Sequence, residues 1–236
     1  HQVLPLSDNK DGGGGGDDGH WLLPSSASLY RERIIPSGAV RVTRRARLQR
    51  FAVHHAQSTR SLRRGLNLQF GVFKGQDLEK MASFLPSCDF HGFDSFDGLP
   101  EPFAGRLPRG HFSLGGTPPV LPAHLTNVQL HCGLFDETLP AFLAAHPEPC
   151  AFVHCDADLY SSTAYFLSQL HHAGRLRRGT VLLFDEYANY EGFETGEFQA
   201  WAELGVPFRY LAFHCPGNKK EKPTHFGYQS VAVVCT

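Results

Sequence analysis

The stretch AFVHCDADLYSSTAYFLSQLHH (151–172) decides the fold of this chain. It begins with an apolar run of strand length at 151–155, passes through Asp156 and Asp158, and continues with the three- and four-residue apolar spacing of a helix at 161–172. A buried strand, a polar tip and an amphipathic helix together form the repeating unit of a parallel sheet. Ligands of such sheets bind beyond the carboxyl ends of the strands, so the two aspartates lie where a site is expected.

The same unit recurs on both sides of this stretch. Two late apolar runs, 209–213 and 228–234, lack a convincing helix between them and predict an antiparallel hairpin that closes the sheet edge, joined by a polar loop at 216–224. The predicted fold class is α/β, with a Rossmann-like, mostly parallel sheet, an antiparallel C-terminal hairpin and helices on both faces. The other predicted strands are 66–72, 90–93, 128–132 and 181–184, and the other predicted helices are 76–84, 138–145 and 195–203.

Composition divides the chain into three parts. Residues 1–26 include the run GGGGGDDG and few apolar residues, which predicts a flexible Gly/Asp-rich tail. Residues 27–64 become amphipathic and predict a helical cap or lid, whereas 65–236 carries the strand and helix pattern of a catalytic domain. The cap contains arginines with the spacing of a solvated helix face, which we expect to lie in solvent. They are Arg44, Arg45, Arg47 and Arg50.

The bulk composition limits the classes of function. The chain has 236 residues, enough for one α/β domain, and 22 basic against 23 acidic side chains, which favours a small-molecule partner over nucleic acid. No apolar run approaches the ~18–20 residues that cross a bilayer, so we expect no membrane partner. Six cysteines without a CxxC pair favour free thiols in a reducing compartment, hence a cytoplasmic protein, and disfavour a zinc site. The start at His1 rather than Met is compatible with a trimmed chain, a processed form or a piece of a larger protein. A homo-oligomer is also compatible with the sequence.

Two strand tips carry paired acids. Asp156 and Asp158 follow the fourth predicted strand of the parallel series, and Asp185 and Glu186 follow the fifth. In an extended chain the two aspartates of the fourth strand would point the same way, and neighbouring strand ends lie about 5 Å apart. Such like charges repel unless a raised pKa or a bound cation relieves them, and an all-oxygen site suits Mg²⁺ better than zinc. The alternative is that the acids cap the following helices, although capping needs only one acid per helix.

Three other strand tips contain residues suited to a bound cofactor. Gly71 and Gly75, in GVFKG, allow a tight turn and close approach of a ligand, or serve the turn alone. Asp94 follows the second strand, where a carboxylate accepts the hydroxyls of a ribose, and the alternative is a turn former or a helix cap. Gly133 leaves room for a flat ring such as adenine, and Asp136 starts a helix, which simple capping explains equally well.

Histidine is plentiful, but the arrangement of the fourteen residues does not indicate a metal site. His131 and His154 lie inside predicted strands, from which a side chain can approach a strand-tip site. We expect both to be core histidines with satisfied hydrogen bonds.

Five motifs occur in a fixed order along the chain: GVFKG (71–75), GFDSFDGLPE (92–101), GLFDETLP (133–140), DADLYSST (156–163) and FDEY (184–187). With these motifs the chain resembles the macrocin O-methyltransferase family from about residue 66 to 236. The resemblance implies a class I methyltransferase fold, S-adenosylmethionine as the methyl donor, and Mg²⁺ or a similar divalent cation. It also implies methylation of sugar hydroxyls in natural product biosynthesis.

The resemblance also implies roles for individual residues. Asp156, Asp185 and Glu186 would hold the metal ion, and Asp158 would be the general base. Two departures from the family pattern are Gln69, where an acid is usual, and Glu186, where an aspartate is common. The first could weaken cofactor binding, whereas the second keeps the charge and reaches farther. The predicted cofactor-binding residues are Gln69, Gly71, Gly75, Asp94, Ser95, Gly133, Asp136 and Asp156.

The expected reaction is a direct in-line transfer of a methyl group to a hydroxyl of a small molecule, a sugar or another vicinal diol, with Asp158 taking the hydroxyl proton. Two alternatives remain open at this point. One is a degenerate methyltransferase-fold protein that binds a partner without catalysis, which Gln69 motivates. The other is a nicotinamide-dependent oxidoreductase, which is disfavoured because GVFKGQ lacks the third small residue of the dinucleotide fingerprint.

Overall fold

An eight-stranded sheet organises the residues that the computed structural model describes, which are 22–103, 105, 107–215 and 229–236. The strands are β1 (Val40–Val42), β2 (Leu66–Phe70), β3 (Phe90–Asp94), β4 (Val128–Cys132), β5 (Cys150–Cys155), β6 (Val181–Phe184), β7 (Phe208–His214) and β8 (Val231–Cys235). Their order across the sheet is β1-β7-β8-β6-β5-β2-β3-β4. All neighbours are parallel except β8, which runs antiparallel to both β6 and β7. The mostly parallel sheet and the antiparallel C-terminal pair are therefore confirmed.

Helices cover both faces of this sheet, as predicted. They are α1 (Arg45–Ala56), α2 (Gln76–Phe84), α3 (Phe135–Ala145), α4 (Tyr160–His172) and α5 (Glu197–Leu204). Apolar side chains of α1 and α2 pack in one hydrophobic cluster, and those of α3, α4 and α5 pack in another. Within the described residues, none of the helices is long and apolar enough to cross a membrane.

The central strand β2 shows why the sheet is buried on both sides. All five of its residues are buried, and its side chains alternate between the two faces. Phe70 stacks on Phe166 of α4, with ring centroids 4.1 Å apart and planes within 3° of parallel, and it also stacks on Phe93 of β3. Asn67 and Gln69 are buried polar residues on the same strand, and Gln69 lies one residue before its carboxyl end, next to the strand tips.

Several boundaries differ from the sequence prediction. The cap at 27–64 contains the short strand β1, parallel to β7, so the C-terminal pair does not close the sheet edge. Three residues are too few for the period-two pattern to appear in the sequence. The strand predicted to end at residue 72 ends at Phe70, because Gly71 adopts φ +87° and turns the chain. Helix α3 begins three residues earlier than predicted.

The predicted flexible tail is only partly within the described residues. Residues 1–21 lie outside them, as does the predicted loop at 216–224. Residues Pro24–Ser26 form a short 3₁₀ helix, and Ser26 is buried, with its hydroxyl oxygen accepting the Asn189 N–H at 2.8 Å. The tail prediction is therefore wrong at Ser26, which packs against the domain, whereas Pro24 and Ser25 are exposed.

Candidate active site

A cavity of about 630 Å³ opens at the carboxyl ends of the parallel strands, the edge of the sheet where the sequence predicts a site. Its volume lies in the range of small-molecule sites. Every predicted site residue lines the cavity except Gly75. That glycine precedes α2 with φ +79°, and a Cβ there would lie 2.7 Å from the Leu121 side chain. The turn and its packing account for Gly75, so the predicted role in cofactor contact is not supported by its position.

Three carboxylates converge at the tips of β5 and β6. Asp156, Asp185 and Glu186 each offer one oxygen, and these oxygens lie within 4.8 Å of one another. The convergence follows from the parallel register, since β5 and β6 pair up to their last residues and the Asp185 N–H donates to the Cys155 carbonyl at 2.9 Å. Glu186 Oε2 is buried without a hydrogen-bond partner among the described residues. An oxygen-only donor set of this kind fits a hard divalent cation.

A guanidinium group lies against the same carboxylates. Arg45, the first residue of α1, donates from Nε to Asp185 Oδ1 at 2.7 Å and from Nη2 to Asp185 Oδ2 at 2.6 Å. Its Nη1 lies 2.7 Å from Asp77 Oδ2, and its Nη2 lies 3.8 Å from Asp156 Oδ2. The expectation that Arg45 belongs to a solvated helix face is therefore wrong, whereas Arg44, Arg47 and Arg50 are exposed. The amphipathic pattern of the helix did not reveal the contacts of Arg45, because the carboxylates that it binds lie far along the chain.

The crowding of acids shifts their protonation. Burial, followed by the nearby Asp185 carboxylate, raises the pKa of Asp156 and of Glu186 well above the ordinary range. Burial together with Asp185 and Asp94 raises the pKa of Asp158 to about 7. For Arg45, burial lowers the pKa, but the carboxylates of Asp185 and Asp156 outweigh burial and raise it. The cluster therefore favours bound positive charge.

Asp158 lines the cavity in an unusual backbone conformation. Its φ is +60°, in the left-handed region that non-glycine residues rarely adopt. The chain is thus not extended through the two aspartates, and the expectation that Asp156 and Asp158 point the same way as in a strand is wrong. Helix α4 has Leu159 at its N-cap, and no side chain within the described ranges caps it there. The capping alternative for Asp158 therefore does not hold.

Asp94 organises two neighbouring turns. Its Oδ2 accepts the N–H groups of Val72 and Phe73 at 2.7 and 2.8 Å, and its Oδ1 accepts the Phe96 N–H at 2.8 Å. The turn-forming alternative is therefore realised in this structure. Ser95 follows it and accepts the Asp97 N–H at 3.2 Å. Both residues line the cavity, so a ribose contact from Asp94 would use lone pairs beyond those already engaged by the backbone.

Gln69 and Gly71 shape the cavity floor next to β5. Gln69 is 1% exposed, and its Nε2 donates to the Gly71 carbonyl at 2.8 Å. This bond fixes the amide so that Oε1 is a buried acceptor with no partner within the part of the chain described. A Cβ at Gly71 would lie 1.8 Å from the Asp156 carbonyl oxygen, so glycine is required there by the approach of β2 to β5.

The tip of β4 supplies the remaining predicted residues. Gly133 has φ +142°, a conformation that strongly favours glycine, and it lines the cavity beside Asp136. The predicted cap of α3 is formed by a different acid, because Glu137 Oε2 accepts the Leu134 N–H at 3.0 Å. Asp136 is therefore left facing the cavity without the capping role that the sequence allowed.

Two buried residues of the site were not predicted to have a role there. Glu197 is fully buried at the start of α5, where its Oε2 accepts the Glu186 N–H at 3.1 Å, and burial raises its pKa well above the ordinary range. In the sequence it resembles an ordinary first-turn acid. His154 is also fully buried, with Nδ1 4.0 Å from Asp156 Oδ2, and neither ring nitrogen has a hydrogen-bond partner among the residues described. The expectation of a satisfied core histidine is wrong for His154.

Comparison with known proteins supports the fold. No family model matches the chain, and no curated protein matches it. The crystal structure of CalS11, a calicheamicin methyltransferase, is 22% identical with a TM-score of 0.56, over 81% of this chain and 80% of that one. The apo structure of CalS11, named a TDP-rhamnose 3'-O-methyltransferase, is 21% identical with a TM-score of 0.52, over 80% of this chain and 77% of that one. Cofactor-bound Rv0187 from MTB is 14% identical with a TM-score of 0.51, over 89% of each chain. These likenesses confirm the Rossmann-like methyltransferase fold.

Proposed function

We propose that this protein is an S-adenosylmethionine-dependent O-methyltransferase that uses Mg²⁺ or a similar divalent cation and methylates a small molecule with vicinal hydroxyls, such as a sugar. The observation that carries the proposal is the convergence of Asp156, Asp185 and Glu186 at the edge of the strand-tip cavity. The ordered motifs that resemble the macrocin O-methyltransferase family support the same reaction. The name of CalS11, a sugar O-methyltransferase on a similar fold, agrees with a sugar substrate.

The residues of the cavity fit S-adenosylmethionine in their chemistry. Gln69 Oε1 is a buried, unengaged acceptor within the described residues, suited to the ammonium group of an amino acid. Gly133 offers backbone without a side chain where a flat ring would lie, and Asp94 and Ser95 offer oxygens for ribose hydroxyls. The cofactor, when bound, supplies a methyl group on a positively charged sulfur. The protein's own contribution is to align that group with the acceptor oxygen and to exclude water.

The acidic cluster fits a divalent cation beside this cofactor. Asp156, Asp185 and Glu186 would hold the ion through oxygen, the donor that Mg²⁺ prefers. When bound, Mg²⁺ would supply positive charge that lowers the pKa of a neighbouring hydroxyl. Asp158 lines the same cavity, which supports the proposal that its carboxylate would accept the hydroxyl proton. Adjacent hydroxyls on the acceptor would offer two oxygens at the correct spacing, which is why a vicinal diol is the proposed substrate class.

Binding and transfer measured separately test this proposal. Isothermal titration with S-adenosylmethionine should give saturable binding to the purified protein, and labelled cofactor should transfer its methyl group to members of a panel of sugars and other vicinal diols. Removal of divalent ions with EDTA should abolish transfer, and added Mg²⁺ should restore it. Absence of cofactor binding would refute the methyltransferase assignment, whereas transfer unchanged by EDTA would refute only the metal.

The role of Asp158 gives the sharpest mutational test. Asp158→Asn should lower kcat by about 10²–10⁴, the usual contribution of a general base, and should leave the dissociation constant for S-adenosylmethionine unchanged. Asp89→Asn is the matched control, because Asp89 is exposed and precedes β3 at the opposite end of the sheet. If Asp158→Asn retains the kcat of the control variant, Asp158 is not the base.

A further inference from the structure

Arg45 lies against two of the three carboxylates that we propose as ligands of a divalent cation. Its Nη2 is 2.6 Å from Asp185 Oδ2 and 3.8 Å from Asp156 Oδ2, so one nitrogen contacts two of the three carboxylates proposed to hold the ion. Both oxygens of Asp185 accept hydrogen bonds from the guanidinium, and Oδ1 also accepts the Ser230 hydroxyl at 2.9 Å. Both oxygens of Asp185 are thus engaged by the protein itself.

A guanidinium and a divalent ion cannot share this position without strong repulsion. Arginine does not lose its proton in proteins, so it cannot relieve the repulsion by deprotonation. Mg²⁺ requires its oxygen ligands at about 2.0–2.1 Å in a nearly octahedral arrangement, which leaves no room for a nitrogen between the same two carboxylates. Movement of the side chain is the remaining way to admit the ion.

The structure offers Arg45 a second anchor outside the proposed metal ligands. Its Nη1 lies 2.7 Å from Asp77 Oδ2, at the start of α2. Asp77 is not one of the three proposed metal ligands, and its Oδ1 also lies 3.2 Å from Lys80 Nζ. A rotation of the guanidinium that keeps the Asp77 contact and releases Asp185 would clear the cluster.

We propose that Arg45 is a resident cation that holds Asp185 in the metal-free protein and withdraws toward Asp77 when a divalent ion enters. This inference rests on the proposed metal-dependent function. It adds that metal loading is a cation exchange, and that the position of Arg45, at the junction of β1 and α1, responds to loading. The metal affinity of the natural protein is therefore lower than its carboxylates alone would give.

Titration with MgCl₂ after treatment with EDTA tests the exchange without any substrate. Arg45→Gln should bind Mg²⁺ at least about tenfold more tightly than the wild type, because the ion no longer has to break the two charged hydrogen bonds between Arg45 and Asp185. Arg45→Lys keeps the charge but loses the two-pronged bond to Asp185, so its affinity should lie between the two. Arg47→Gln, an exposed change on the same helix, is the matched control and should bind Mg²⁺ as the wild type does.

Thermal melts provide a second readout that also checks folding. In EDTA, Arg45→Gln should melt below the wild type, since the acids lose their counter-charge, and saturating MgCl₂ should raise its Tm by more than it raises that of the wild type. Equal Mg²⁺ affinities for wild type, Arg45→Gln and Arg45→Lys would overturn the exchange while leaving the metal site standing. If neither the wild type nor any variant binds Mg²⁺, the proposed metal function itself fails, and the exchange with it.

Discussion

Replacement of Gly71 by alanine tests the packing that brings the strand tips together. Gly71 follows β2 directly, and a Cβ there would lie 1.8 Å from the carbonyl oxygen of Asp156 and 2.7 Å from its carbonyl carbon. Both of these atoms are backbone, so rotation of a side chain cannot relieve the contact. The Asp156 N–H donates to the Phe70 carbonyl at 2.9 Å, which fixes the two strands at this distance. The substitution must therefore push β5 away from β2 at the residue that begins the acidic cluster.

Two separate costs determine the size of the effect. The first is conformational, since φ is +87° at Gly71 and an L-residue in this region costs roughly 1–2 kcal/mol. The second is steric, because overpacking of a closely packed interior typically costs about 1–3 kcal/mol. Gly38 separates the two, since its φ is +78° and an added Cβ would have no neighbour within 4 Å among the described residues. Gly38→Ala should thus show the conformational cost alone, roughly 1–2 kcal/mol, and Gly71→Ala roughly 2–5 kcal/mol.

Urea denaturation of both variants measures the difference in the free energy of unfolding. Titration with S-adenosylmethionine should show weaker binding to Gly71→Ala and unchanged binding to Gly38→Ala, because only the first displaces the floor of the cavity. Equal losses of stability in the two variants, with cofactor binding unaffected, would refute the close approach of β2 and β5 as the reason for this glycine.

Two further predictions concern groups outside the acidic cluster. Asp94→Asn should lower the free energy of unfolding, measured in urea titrations, by roughly 1.5–3 kcal/mol, because an amide cannot accept hydrogen bonds at both ends as this carboxylate does. An unchanged midpoint of urea unfolding would contradict the three backbone contacts. Burial, with His131 and His146 nearby, lowers the pKa of His91 to about 4. The unfolded chain then binds a proton that the folded state excludes, so stability falls as the pH drops from about 6.5 toward 4, and at pH 5 the loss from this residue is about 1–2 kcal/mol. His91→Gln should reduce the difference in the free energy of unfolding between pH 7.5 and pH 5 by this amount. If that difference is the same in the variant and the wild type, His91 is not its source.

The fold was largely predictable because its signals are local. Each buried strand is a short apolar run. Helix α2 has the predicted bounds, since its apolar spacing begins directly after Gly75, which adopts φ +79° at the N-cap. The strand β1 escaped notice because three residues carry no usable period, and it pairs with a strand that follows about 170 residues later in the sequence, at Val40 opposite Ala212. Pairing over such a distance is set by the packing of the whole domain.

The positions of the site residues were predictable because the carboxyl ends of parallel strands meet at one edge of the sheet. Once β5 and β6 are neighbours in register, their tip residues Asp156 and Asp185 must lie close together. Orientation was less predictable, as Asp158 shows, since its left-handed φ depends on the local turn before α4. Glu197 was missed because its burial follows from the packing of α5 over the strand tips.

Charge is the property of this site that the sequence conveyed least well. The acids could be located from strand tips, but the group that balances them comes from Arg45, which precedes Asp185 by 140 residues. Its helix neighbours Arg44 and Arg47 are exposed, so local pattern gave all three arginines the same interpretation. A cluster of carboxylates therefore does not by itself require a metal ion for neutrality, since a guanidinium with two-pronged hydrogen bonds can supply part of the charge. The degree to which a divalent ion must displace that guanidinium, which Mg²⁺ titration of Arg45→Gln measures directly, determines how far Arg45 lowers the affinity of the proposed metal site.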